Sequence, residues 1–203
     1  MINYLVEIKY DGSDFFGSQK QKNKTLKTIQ GEIDLALFKI FNEEIKTIFS
    51  SRTDKGVHAL QQFFNFKYEK EIMDEKQLAY AINNIIDKKI RVVSIIKKDK
   101  DFHCRYMAKS KTYMYVFYKK EYNPFLSNYA YYLKKDINIK MFKKALYLFR
   151  GKHDFYSFCG SEGKKKDYIK TINKIKIKNK KHFLSVEITG DGFLRYMIRM
   201  IIG

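Results

Sequence analysis

Between two apolar runs of this 203-residue chain lies Ser51-Arg52-Thr53-Asp54-Lys55-Gly56-Val57-His58, a polar stretch with a single glycine. Stretches of this kind are where a rigid scaffold presents reactive groups. The reactive candidate is the Asp54 carboxylate, whose covalent chemistry would be nucleophilic attack. The residues alone leave a second reading open. In it the stretch is an ordinary turn, with Asp54 bonding neighbouring backbone amides and Arg52 making a surface ion pair worth little. Spacing by itself favours the turn.

The other chemistry-bearing residue types narrow the field. Cys104 and Cys159 lack CxxC spacing, and His58, His103, His153 and His182 are scattered without metal-ligand spacing, so neither a metal site nor a disulfide framework is expected. Forty-one Lys and Arg against 22 Asp and Glu leave a net charge of +19. That field attracts polyanions, which makes nucleic acid the expected partner, ahead of an anionic membrane or a merely solubilising surface. No apolar run approaches the roughly 20 residues of a spanning helix, and Met1 to Tyr10 reads as a strand rather than a signal segment. A cytoplasmic protein with no membrane association is expected.

The elements that must position the polar stretch follow from periodicity. Apolar residues at even positions from Ile2 to Tyr10 predict a strand, Asp11-Gly12 a turn, and Ile29, Ile33, Leu37, Ile40 and Phe41 the apolar face of a helix begun by Thr28. Ile45 to Phe49 and Phe64 to Tyr68 read as two strands. Asp74 starts a helix with Leu78, Ile82 and Ile85 inward, and Ile90 to Ile96 is a fourth strand. The order βαββαβ is the ferredoxin-like arrangement, a four-stranded antiparallel sheet with two helices on one face and the other face free to receive RNA.

From Lys111 the pattern restarts. A strand to Tyr118 is followed by a helix from Asn138 with Met141, Ala145, Leu148 and Phe149 inward, strands near Ile169 to Ile177 and Phe183 to Ile188, and a helix from Gly192. The expected fold is therefore α+β, two ferredoxin-like halves (1–104 and 105–203) whose antiparallel sheets join, with a basic cleft between them. The second half reads βαββα, so the chain looks truncated before a last strand. Gly163 to Lys166 reads as a mobile loop, Lys174 to Lys181 as a charged hairpin turning near Asn179, and the only proline, Pro124, sits in a long connection.

Several spaced segments resemble the tRNA pseudouridine synthase A family over essentially the whole chain. They are Tyr10-Asp11-Gly12 with Gly17 and Gln19; Arg52-Thr53-Asp54 with Gly56-Val57-His58-Ala59; Phe102-His103 with Arg105; and Lys111 with Tyr113 and Tyr115. Gly151, His153-Asp154-Phe155 and Ser157-Phe158 follow, then Gly192-Phe193-Leu194 with Met197, Arg199 and Ile202-Gly203. The resemblance implies a cofactor-independent isomerase that converts uridine to pseudouridine at positions 38, 39 and 40 of the tRNA anticodon stem-loop, acting as a homodimer.

The resemblance also implies roles. Asp54 is the nucleophile, attacking either the uracil ring or ribose C1′. Arg199 is the cation that favours its ionised form, and Tyr113 stacks on the target base and helps move a proton. Arg52 fills the space that a flipped uridine leaves. Lys111, Lys164, Lys165 and Lys166 are expected to contact RNA. His58 and His153 receive no proton-transfer role, and Asp154 reads as a cap or turn residue. The chain departs from the family at Ser18, where tryptophan is usual, at Ser51, where glycine is usual, and at Lys170, where arginine is usual. Because glycine permits backbone angles that serine disfavours, Ser51 predicts a slightly different hold on the loop. Two rival readings are an RNA-binding protein without catalysis, such as a truncated and impaired family member, and a glycosidase-like enzyme that releases uracil.

Overall fold

In the computed structural model, which describes residues 1–23, 25–160 and 167–203, the chain runs β1 (Ile2–Tyr10), α1 (Ile29–Phe41), β2 (Ile48–Phe49), β3 (Ala59–Tyr68), α2 (Glu75–Ile85) and β4 (Ile90–Lys98) through its first unit, Met1–Ala108. Alternation in β1 buries Tyr4, Val6, Ile8 and Tyr10 on one face. That strand lies in the middle of the sheet, antiparallel to β3 on one side and β4 on the other, and the strand order is β2-β3-β1-β4. Both helices cover the same face, since Ile29, Ile33 and Leu37 of α1 and Leu78 and Ile82 of α2 share one core with the inward residues of β1. Burying each such side chain contributes about 1.5–3 kcal/mol. This is the ferredoxin-like arrangement expected for the first half.

The helix starts are set by their caps. Thr28 Oγ1 accepts the Gly31 amide at 3.1 Å, and Asp74 forms a reciprocal box with Gln77, which satisfies amides that a helix end leaves unpaired. Two details differ from expectation. The predicted strand at Ile45 to Phe49 pairs only at Ile48 and Phe49, because Thr47 turns aside to donate to Asp34 at 2.6 Å. At the end of α2, Ile85 is exposed and Ile86 is buried instead.

The segment after β4 is sewn to the sheet by two buried amides. Asn3 Nδ2 donates to the carbonyls of Asp99 and Phe102 (3.0 and 2.9 Å), Asn65 Nδ2 donates to Asn3 Oδ1 (2.9 Å), and the Cys104 amide donates to Asn65 Oδ1 (3.1 Å). Buried side-chain amides are tolerated when satisfied in this way.

The second unit, Lys109–Gly203, runs β5 (Lys111–Tyr118), β6 (Tyr131–Tyr132), α3 (Ile139–Tyr147), β7 (Gly151–Asp154), β8 (Ile169–Asn179), β9 (Phe183–Gly190) and α4 (Met197–Ile202). Its sheet has the order β6-β5-β9-β8-β7, antiparallel except for β6, which runs parallel to the end of β5. The core is built on Leu184, Val186 and Ile188 of β9, with Leu146, Phe155 and Met197 packed against them. The charged hairpin is present, closed by the Lys180 amide on the Phe183 carbonyl at 2.8 Å. Pro124 opens a single 3₁₀ turn, Pro124–Leu126, capped by Asn123.

Three expectations are corrected in this unit. The strands β6 and β7 have two and four residues, too short to leave a period in the sequence. Helix α3 begins after Asn138 as expected, but it is turned on its axis: Leu146 is 2% exposed while Met141 and Leu148 are 67% and 78% exposed. Two apolar stripes at helical spacing compete there, and the one carrying Ile139, Phe142 and Leu146 faces the core. Finally, the predicted helix from Gly192 begins only at Met197, because Tyr196 takes a left-handed φ of 62° that breaks the helical run. Gly160 makes room for the Tyr196 ring, since a Cβ there would lie 2.6 Å from Cδ2. Residues 161–166, which hold Lys164, Lys165 and Lys166 and the expected mobile loop, lie outside the described residues. Among the described residues no helix is long and apolar enough to cross a membrane.

Candidate active-site loop

The Asp54 stretch is clasped by the segment that follows β1. Gly12 passes so close to Val57 that a Cβ would stand 2.0 Å from the Val57 carbonyl oxygen, and Gly17, at φ +96°, would put one 2.9 Å from the Thr53 oxygen. Only glycine allows this approach. Across the contact, Thr53 is gripped three times: its amide donates to Ser18 Oγ at 2.8 Å, its carbonyl accepts the Ser18 amide at 3.0 Å, and its hydroxyl bonds Tyr10 Oη at 2.9 Å. The Gly56 amide adds a bond to the Phe15 carbonyl at 3.2 Å, and Phe15 is buried.

Asp54 follows Thr53 directly and opens a turn, in which the Val57 amide donates to the Asp54 carbonyl at 3.2 Å and Gly56 supplies φ +77°. The turn reading of the sequence is thus correct for the backbone, while the Asp54 and Arg52 side chains are exposed. Upstream, buried Gln62 ties down Ser50 and Ser51: Ser50 Oγ donates to Gln62 Oε1 at 2.6 Å, and Gln62 Nε2 donates to the Ser51 carbonyl and Oγ at 3.2 and 3.0 Å. A carboxylate in this setting is exposed while the backbone that carries it is fixed from both sides, which is what positioned nucleophilic chemistry requires.

His58 braces the same contact. Its Nδ1 lies 2.9 Å from Asp11 Oδ1 and 3.1 Å from the Gly12 amide. One nitrogen cannot serve both, and the adjacent carboxylate favours the tautomer in which Nδ1–H donates to Asp11. Asp11 Oδ1 also accepts the Ser13 amide and hydroxyl at 3.0 and 2.7 Å.

The departures at Ser18, Ser51 and Lys170 each have a local role. Ser18 is buried and supplies two of the three grips on Thr53. Ser51 has no positive φ, so its backbone is unstrained, and its hydroxyl bonds Gln62. The backbone angle at Ser51 is therefore not one that calls for glycine, and the hydroxyl adds a hydrogen bond that a glycine could not make. Lys170 Nζ bonds Asp167 Oδ2 at 3.0 Å and the Ile169 carbonyl at 2.7 Å.

In the second unit, Lys111 and Tyr113 lie on β5, and Tyr113 meets Phe193 edge to face at 5.2 Å. Gly190 lies close by, where a Cβ would stand 2.6 Å from the Thr171 carbonyl oxygen and 3.1 Å from the Phe193 ring. Arg199 sits in α4 with its guanidinium 5.7 Å from the Tyr196 ring centre, and Arg195 stands over the same ring at 4.9 Å. His153 Nε2 bonds the Arg150 carbonyl at 2.9 Å, and Asp154 Oδ1 caps the Tyr156 amide at 2.8 Å. Thus Asp54 and Arg52 share one loop, and Lys111 and Tyr113 one strand. Sequence reasoning missed Gln62, and it named Tyr10 and Phe193 in matched segments and Ser18 as a departure without giving any of them a role. The available signal was the pair of glycines at 12 and 17, which marks a close approach without naming its partner.

The model of a family described as tRNA pseudouridine synthase matches residues 7–107 and 145–203. Asp54 and Arg199 fall inside the match, while Lys111 and Tyr113 fall in the stretch between its two parts. The chain is 39% identical to the tRNA pseudouridine synthase A of Caldicellulosiruptor bescii and 38% identical to that of Thermoanaerobacter pseudethanolicus. It is 34% identical to the tRNA pseudouridine synthase A 2 of Bacillus anthracis. Each similarity covers 100% of this chain and 82% of the relative.

Proposed function

We propose, because the chain belongs to the tRNA pseudouridine synthase family, that it isomerises uridine to pseudouridine in tRNA. The N1–C1′ bond of the target nucleotide breaks and a C5–C1′ bond forms. C5 loses its proton and N1 takes one up, so the mass of the RNA is unchanged and no redox cofactor is needed. Asp54 is the nucleophile, attacking either the uracil ring or C1′. Tyr113 is the stacking platform for the base, and Arg199 is the cation that favours the ionised carboxylate. Arg52 occupies the space that the flipped uridine leaves, and Lys111, Lys164, Lys165 and Lys166 meet phosphates. The substrate is the anticodon stem-loop at positions 38, 39 and 40, and the enzyme is a cytoplasmic homodimer.

The observation that carries this reading is the clasp on Thr53, which fixes the backbone of an exposed carboxylate inside the segment that the family model matches. Incubation of an unmodified tRNA transcript, followed by nucleoside analysis, tests it. Pseudouridine in RNA of unchanged mass is expected. Asp54→Asn should lower turnover about 10⁴-fold or more while tRNA affinity stays within a few-fold. Free uracil in the products would assign the chain to glycosidase chemistry, and binding without conversion would leave an RNA-binding protein.

A further inference from the structure

The connection between β5 and α3 carries a concave aromatic site outside the candidate active-site loop. After β5, Asn123 Oδ1 accepts the Phe125 amide at 2.9 Å and caps the Pro124–Leu126 turn. The chain then returns as β6, whose Tyr131 and Tyr132 pair with Phe117 and Tyr118. Between turn and strand lies a groove of about 350 Å³ walled by Tyr118, Tyr122, Tyr131 and Tyr132, with Lys134 at its edge. The Tyr122 and Tyr132 rings stand 6.0 Å apart at 69°. Leu133 and Lys135, the alternate residues of the same segment, line a second concavity of about 150 Å³ with Lys119 and Asp136. All of this falls within residues 108–144, between the two parts of the chain that the family model matches.

We propose that this tyrosine groove is a subsite for an unpaired nucleotide of the RNA substrate, with the base stacked on the exposed ring of Tyr122, the Tyr132 ring set edge to face against Tyr122 as the wall of the groove, and the flanking phosphates met by Lys134. The volume lies at the low end of small-ligand sites, which suits one or two planar rings and excludes a docking helix. Tyrosines present a flat apolar face with a polar tip, and base–aromatic stacking accepts every base. Lysines supply the charge that a sugar-phosphate chain needs. Lys134 in the groove, with Lys119 and Lys135 in the neighbouring concavity, also suits a polyanion better than the same lysine-bearing face of a second copy of this chain. The inference rests on the tRNA reading but assigns a contact that the reaction itself does not require.

Binding of an unmodified tRNA transcript and of a short single-stranded oligoribonucleotide carrying 2-aminopurine tests it, in the wild type and in Tyr122→Ala and Lys134→Ala. Tyr122 is 60% exposed, so its truncation should leave the melting temperature unchanged, which a thermal scan checks. Tyr122→Ala should abolish the stacking-induced fluorescence quench and weaken oligonucleotide binding about tenfold. Lys134→Ala should lower the slope of log K against log salt by about 0.7, the single-strand value for one phosphate contact. Wild-type tRNA binding that both variants reproduce would overturn the subsite. So would a change of oligomeric state in Tyr122→Ala with RNA affinity intact, which would make a second copy the occupant. A wild-type chain that binds no tRNA at all would instead overturn the functional reading on which the subsite rests.

Discussion

The backbone that carries Asp54 and the helix that carries Arg199 are held by different physics. The first is gripped by directional bonds: Thr53 is fixed by Ser18 and Tyr10, Gly56 by Phe15, and two glycines allow the approach. The second is a six-residue helix whose first turn has no side-chain cap and whose grip on the protein is the burial of Met197 and Ile201. A helix that short does not hold itself together. The carboxylate is thus placed by geometry that few substitutions reproduce. The cation is placed by apolar volume, which other side chains of similar size can fill.

The strongest challenge to this contrast is Met197→Ala. Removing a fully buried side chain should cost about 2–4 kcal/mol, the largest loss of urea stability in the set, while the clasp stays intact. A cost below about 1 kcal/mol would mean that packing does not hold α4. Gly12→Ala attacks the other side. Its Cβ would meet the Val57 backbone, which cannot swing away as a side chain can, so about 1–3 kcal/mol of strain is expected together with a marked fall in turnover. Wild-type activity in this variant would remove the clasp from the account.

Ser18→Ala should be milder. It leaves the Thr53 amide without its acceptor, which costs roughly 1 kcal/mol, and turnover should fall more than tRNA affinity. Steady-state kinetics showing the reverse would contradict a positioning role. The smallest effect is expected at Lys27–Asp87, a surface pair at 2.5 Å that ties the clasping segment to the turn before β4. The hydrogen bond from Lys27, then the Lys89 amide, holds the Asp87 carboxyl below its ordinary pKa. Its contribution is therefore present above the ordinary aspartate pKa and is lost as pH falls through the lowered one. Asp87→Asn should cost less than about 1 kcal/mol at neutral pH and nothing in strong acid. Urea midpoints that still differ in acid would refute the pairing.

How much of this was legible in the sequence depended on range. Caps within a few residues of a helix, such as Thr28, Asp74 and Asn138, gave the helix starts correctly. So did the order of the first unit, whose strands and helices are long enough to show their periods. Phase failed in α3, where two apolar stripes fit equally well until the sheet selected one. The start of α4 failed because the break is a left-handed tyrosine, which no glycine announces. The Ser18–Thr53 grip spans 35 residues, and nothing local in either segment points to the other. The role proposed for Asp54 rests on family resemblance alone, because the residues by themselves described the turn that its backbone does make.

The central position of β1 governs how the first unit assembles during synthesis. Its Tyr10 waits for Ala59 and its Asn3 for Lys98, and the Asn3 amide then closes on the Phe102 carbonyl across a separation of 99 residues. No local hairpin can give β1 a neighbour, so both its edges stay open until β3 has been made, and the second stays open until β4 follows. An open, largely apolar strand is a template for unwanted pairing. On this topology the nascent chain completes its sheet only when β4 emerges, and the interval before β3 emerges is when both edges of β1 are open at once.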